Sequence, residues 1–110
     1  MENLYKPIDQ TIRDWASRNQ LVLQTHYASN KAPEFRCIYT SSKQGECCQI
    51  WIEPPSGERV DVHAEDVESR RDEPMRYDWQ TSIQDLNETL ETALRQVQEW
   101  FNRDNAGSHA

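Results

Sequence analysis

Only three of the 110 residues are glycine and only two are phenylalanine. With so few glycines, few backbone positions can rely on a free φ. The chain has no run of about 18 apolar residues, so no helical membrane span is expected. The opening MENLYKPIDQ lacks the apolar core of a secretory signal. Three cysteines are an odd number, which argues against a secreted disulfide scaffold. A cytoplasmic protein with reduced thiols is the expectation. No C-x-x-C, no H-E-x-x-H and no other spaced Cys/His framework is present. A glycine-rich phosphate loop and a strand-turn-helix nucleophile motif are missing too. Asn87-Glu88-Thr89 has the form of a glycosylation acceptor, but it falls in a helical stretch and is discounted.

Charged residues make up 28% and hydrophobic residues 35%, with four Trp and four Tyr to supply large core side chains. That balance predicts one folded domain over 1–110, with a core about 7–102 and a flexible tail at 103–110. The net charge is -7 and unevenly spread. Residues 53–110 hold six basic against fourteen acidic residues, a net of -8. Such a surface repels nucleic acid and anionic membrane and attracts a basic partner.

Ile8, Ile12, Trp15 and Ala16 share one helical face, which predicts a first helix from about Pro7 to Arg18. Gln20 to Tyr27 switches to period two and reads as a strand. Phe35 to Thr40 reads as a second. In GECCQIWIEPPSGERVDVHAE, residues 45–65, Cys48, Ile50 and Ile52 alternate with Gln49, Trp51 and Glu53. After Pro54-Pro55-Ser56-Gly57, Val60, Val62 and Ala64 alternate with Asp61, His63 and Glu65. This is a β-hairpin with the apolar set toward a core and the polar set on a wet face. Met75 to Trp79 fits a short fifth strand. Ile83, Leu86, Leu90, Ala93, Leu94, Val97, Trp100 and Phe101 form the longest apolar stripe, a final helix from about Ile83 to Asn102. Ser82 with Asp85, or Thr81 with Gln84, resembles its capping box. The predicted fold is α+β in two layers: N-terminal helix, four- or five-stranded antiparallel sheet, C-terminal helix.

Cys47 and Cys48 point to opposite faces of a strand and cannot jointly hold one metal. Cys37 and Cys48 read as small buried side chains. Asp61, His63 and Glu65 share a face, and with an approach by His26 and Cys47 they would form an acid-base or metal constellation. Alternating polar residues are what any exposed strand face shows, so no catalytic residue, metal or cofactor is assigned. Trp51 is the more informative: a large aromatic on a wet face is either covered by a cross-strand neighbour or is an anchor at a protein interface. With the acidic residues around it, the candidate partner-binding set is Trp51, Asp61, His63, Glu65, Asp66, Glu68, Asp72 and Glu73.

The Trp-bearing first helix, the hairpin with Trp51, Gly57 and Asp61, and Ile83-Gln84-Asp85-Leu86-Asn87-Glu88-Thr89-Leu90 opening the last helix together resemble the TriTu immunity family of bacterial polymorphic toxin systems. The likeness spans roughly residues 8 to 101. It implies a non-catalytic protein that binds and neutralises one cognate toxin domain, delivered by contact-dependent inhibition or a secretion system. A basic toxin domain is the partner that the charge suggests. An acidic secretion chaperone for an effector, and a small enzyme using the Asp61–His63–Glu65 face, are the alternatives.

Overall fold

The computed structural model describes residues 4–25, 35–43, 45–67 and 75–107, with side chains as far as Asn102. Its elements are α1 (Asp9–Arg18), β1 (Leu23–Gln24), β2 (Arg36–Ser41), β3 (Cys47–Ile52), β4 (Arg59–Asp66), β5 (Arg76–Ser82) and α2 (Leu86–Gly107). The five strands form one antiparallel meander in the order β1-β2-β3-β4-β5. Both helices bury their apolar stripes on the same face of that sheet, giving the expected two-layer α+β domain.

Period-two patterning sets the register. Cys48, Ile50 and Ile52 on β3, and Val60, Val62 and Ala64 on β4, are all essentially inaccessible. Ile50 sits opposite Ala64 and Ile52 opposite Val62. A one-residue slip would carry the whole set to the other face. Ile8, Ile12, Trp15 and Ala16 close the core from α1, and Leu86, Leu90, Ala93, Leu94, Val97 and Trp100 close it from α2. Truncating one such side chain, as in Leu90→Ala, costs about 2–5 kcal/mol, a large share of a small domain's stability.

The helix ends differ from the sequence expectation. Pro7 lies in a turn before α1, where the Tyr5 carbonyl accepts from the N–H groups of Ile8 (2.9 Å) and Asp9 (2.8 Å). α1 stops in a Schellman arrangement: the Leu21 N–H donates to the Ala16 carbonyl (2.8 Å) and that of Gln20 to Ser17 (3.2 Å). Gln20 takes the left-handed conformation, φ 57°, that glycine usually supplies. This stop uses up Gln20 and Leu21 and leaves Val22 exposed, so β1 is only Leu23–Gln24 rather than a strand from Gln20 to Tyr27. Tyr27 lies outside the described residues.

α2 begins at Leu86, not Ile83, because Ile83 to Asp85 form a turn directly off β5. Ser82 Oγ accepts from the Asp85 N–H (3.1 Å), so the expected capping side chain secures that turn. The helix runs on to Gly107, past Asn102, where the apolar stripe ends. Its last stretch, 103–107, is polar enough to hide from a hydrophobic pattern and falls in what was expected to be tail.

One core feature is polar. Arg36, on the helix-facing side of β2, is buried with 3% exposure. Its guanidinium meets Asp9 in a fork, Nε to Oδ1 at 2.7 Å and Nη2 to Oδ2 at 3.1 Å. It also donates to the Phe35 carbonyl at 3.0 Å and lies 4.5 Å from the centroid of the Tyr5 ring. The Tyr5 hydroxyl in turn donates to the Ile52 carbonyl (2.8 Å). A buried guanidinium needs this degree of satisfaction. The result is a latch that joins the N-terminal turn and the start of α1 to β2 and β3.

Candidate functional site

The side chains that alternate with the core set point to the helix-free face of the sheet. These are Cys37 and Tyr39 on β2; Cys47, Gln49 and Trp51 on β3; Asp61, His63 and Glu65 on β4; and Arg76, Asp78 and Gln80 on β5. Trp51 lies opposite His63, and His63 opposite Asp78. Cys37 lies opposite Trp51.

His63 is the hub. Its ring stacks on Trp51 with centroids 4.8 Å apart and 23° between planes. Nε2 is 2.7 Å from Glu53 Oε2 and Nδ1 is 2.5 Å from Asp78 Oδ1. Arg76 donates from Nε to Asp78 Oδ1 at 3.2 Å, and its Cζ lies 5.3 Å from the Trp51 ring centroid. The His63 side chain is 14% exposed, whereas Glu53 and Asp78 are about half exposed at 50% and 54%.

With a carboxylate on each ring nitrogen, the arrangement calls for two N–H donors, which is the imidazolium. Burial pulls the His63 pKa down. The hydrogen bonds and charges of Asp78 and Glu53 together outweigh it, and the pKa is raised above 6.5. The same hydrogen bond to His63, with help from Arg76, lowers that of Asp78 below 3.8. In this geometry His63 has no lone pair to offer a metal or a substrate proton.

Asp61, His63 and Glu65 share a face as expected, and the contacts of His63 run across strands to Glu53 and Asp78. Neighbours on one strand face stand roughly 7 Å apart, while opposite residues on paired strands are about 5 Å apart. Asp61 takes its own partner in Arg59 (Nη2 to Oδ2, 3.2 Å). Glu65 is half-buried on the same face, opposite Gln49 and Arg76. Asp66 is not on this face. It lies opposite the buried Cys48, on the helix side, with Oδ1 shielded and without a hydrogen-bond partner among the described residues. Strand alternation separates it from Glu65 and from the Trp51 face. Glu68, Asp72, Glu73 and His26 lie outside the described residues. No group of three or more His, Cys, Asp and Glu side chains that could hold a metal occurs among the described residues.

Trp51 is half-buried, covered in part by His63 and Arg76. Cys37 is fully buried although it is on this face, and burial pushes its thiol pKa up. Glu53, Arg76 and Asp78 are the members that sequence reading did not single out. Glu53 falls in the same alternating set as Trp51, so it was visible there. Asp78 and Arg76 depend on the β4–β5 register, which no local pattern in the sequence reveals.

The described face offers half-exposed carboxylates around a half-buried indole. No protein-family model, curated protein or solved structure matches the chain.

Proposed function

We propose that this chain is an immunity protein: a non-catalytic, acidic binder that neutralises the toxin domain of a bacterial contact-dependent or secretion-system effector. The observation that carries the reading is the helix-free sheet face, where Trp51 is framed by Glu53, Asp61, Glu65 and Asp78. A basic domain fits such a face: its Lys and Arg meet the carboxylates and its surface desolvates the indole. The net charge of -7 favours a cationic partner over nucleic acid or an anionic membrane. The engagement of both His63 nitrogens supports binding over acid-base chemistry. The reading places the protein in the cytoplasm of the toxin's target cell.

The test is co-expression with the folded toxin domain encoded beside it. Growth rescue and co-purification of an equimolar complex support the reading. If the chain retains only an unfolded effector segment, it is a secretion chaperone instead. If toxicity persists with both proteins present and folded, the proposal fails.

A further inference from the structure

The hydrogen-bond pattern of the sheet fixes which backbone groups of β5 are already used. The Asp66 N–H donates to the Met75 carbonyl (2.9 Å) and the Ile83 N–H to the Glu58 carbonyl (2.8 Å). Both pairs continue the β4–β5 register, in which Ala64 lies opposite Tyr77 and Val62 opposite Trp79. In an antiparallel ladder, hydrogen-bonded pairs alternate with non-bonded ones. The odd-numbered residues of β5 therefore bond into β4. Arg76, Asp78, Gln80 and Ser82 direct their N–H and C=O groups to the opposite edge. Among the described residues no strand pairs with that edge, and only the Ser82 carbonyl is taken, by the Asp85 N–H (3.2 Å). The other edge strand, β1, is two residues long, a length that blunts pairing. β5 has seven residues, no proline and no glycine.

The helix-facing side of the same strand carries aromatics at this edge. Tyr77 is 50% exposed and packs on the half-buried Trp79, with centroids 4.6 Å apart and 35° between planes. An exposed aromatic beside an unpaired strand edge is the combination that strand addition covers.

We propose that β5 pairs with β5 of a second copy, antiparallel about a two-fold axis through Trp79, to make a continuous ten-stranded sheet. The charges along the strand select this register. Centred on Asp78, the two Asp78 carboxylates would stand directly opposite each other and repel. Centred on Trp79, all of β5 overlaps. Asp78 lies opposite Gln80 of the second copy, whose amide can donate to it, and Arg76 lies opposite Ser82. Asp78 and Gln80 then exchange backbone bonds across the two-fold axis. On the helix side the two Trp79 rings meet as a non-hydrogen-bonded pair, with Cα atoms about 4.5 Å apart, each flanked by a Tyr77. The interface is isologous and closed, and it leaves the Trp51 face open.

Sedimentation equilibrium of the full chain tests this directly. The expected species has twice the 13.0 kDa chain mass. Gln80→Pro removes an outward N–H without touching the β4 ladder, and should weaken self-association about tenfold or more while the circular dichroism spectrum is unchanged. Should the proline unfold the chain, Gln80→Glu, which keeps the backbone and sets a carboxylate opposite Asp78 of the second copy, is expected to act in the same direction. Under mild oxidation, Trp79→Cys should form a reducible cross-linked dimer above the wild-type level, since that pair spacing suits a disulfide. Tyr77→Cys should not, because its opposite residue is Thr81. A wild-type chain that stays monomeric at every soluble concentration overturns the proposal. So does a dimer that survives both Gln80 variants, or cross-linking through Tyr77→Cys in place of Trp79→Cys. A monomer that adds a strand only from a different protein domain overturns it equally.

Discussion

The indole of Trp51 and the imidazole of His63 lie face to face across β3 and β4, 4.8 Å between centroids. That stack joins the indole of the helix-free face to its charge network. With its ring on Trp51, His63 also reaches Glu53 and Asp78. The stack therefore holds three strands' side chains in one geometry before any partner arrives.

The charge state of His63 links this geometry to pH. Its folded pKa is raised, so the imidazolium's contribution to stability is fully present below the unfolded value, about 6.5, and is lost as pH rises through the folded value. Asp78 behaves oppositely. Its folded pKa is lowered, so its contribution is present above the ordinary carboxylate value and is lost as pH falls through the folded one. Chemical-shift titration should place the His63 pKa above the ordinary 6.5, with the resonance assigned by its loss in His63→Gln. Denaturant midpoints of wild type and His63→Gln should converge as pH rises from 6 toward 9. A gap that widens over that range would show that His63 is held neutral.

The Arg36–Asp9 latch makes a second prediction. Removing one partner of a buried pair leaves the other charge stranded, and Arg36→Met should cost about 3–5 kcal/mol in denaturant unfolding. Asp9→Leu added to Arg36→Met should recover part of that loss, because the stranded carboxylate is gone. Additive losses in the double variant would mean that the two residues act separately.

Gln20 occupies a left-handed position that costs an L-residue energy and costs glycine none. Gln20→Gly should therefore be neutral or stabilising by up to about 1 kcal/mol, against the usual direction of substitutions to glycine. Thermal unfolding decides it, and a loss of more than about 1 kcal/mol would contradict the Schellman stop of α1.

Much of this architecture was legible in the sequence, and for identifiable reasons. Val60, Val62 and Ala64 alternate without a break, so strand, face and register could all be read from them. The stripe from Leu86 to Trp100 did the same for α2. Asp66 was grouped by its charge with the connection that follows, whereas it is the last residue of β4, opposite Cys48 on the helix side. The Arg36 latch was hidden because nothing in a local pattern tells a buried arginine from an exposed one; its partner Asp9 is far away in the chain. His63 was placed on the right face, but its partners were not legible. Asp61 and Glu65 are close in sequence, while Glu53 and Asp78 become close only when the strands pair.

The account turns on whether the Trp51 face is what meets the toxin. Association and dissociation rates with the folded toxin domain encoded beside this chain measure that most directly. Trp51→Ala should remain folded, raise the dissociation rate and weaken binding by roughly 2 kcal/mol or more, about thirtyfold. Charge reversal at Asp61 or Glu65 should slow association, most strongly at low salt. Wild-type rates in all three folded variants would contradict the account and place the interface off this face.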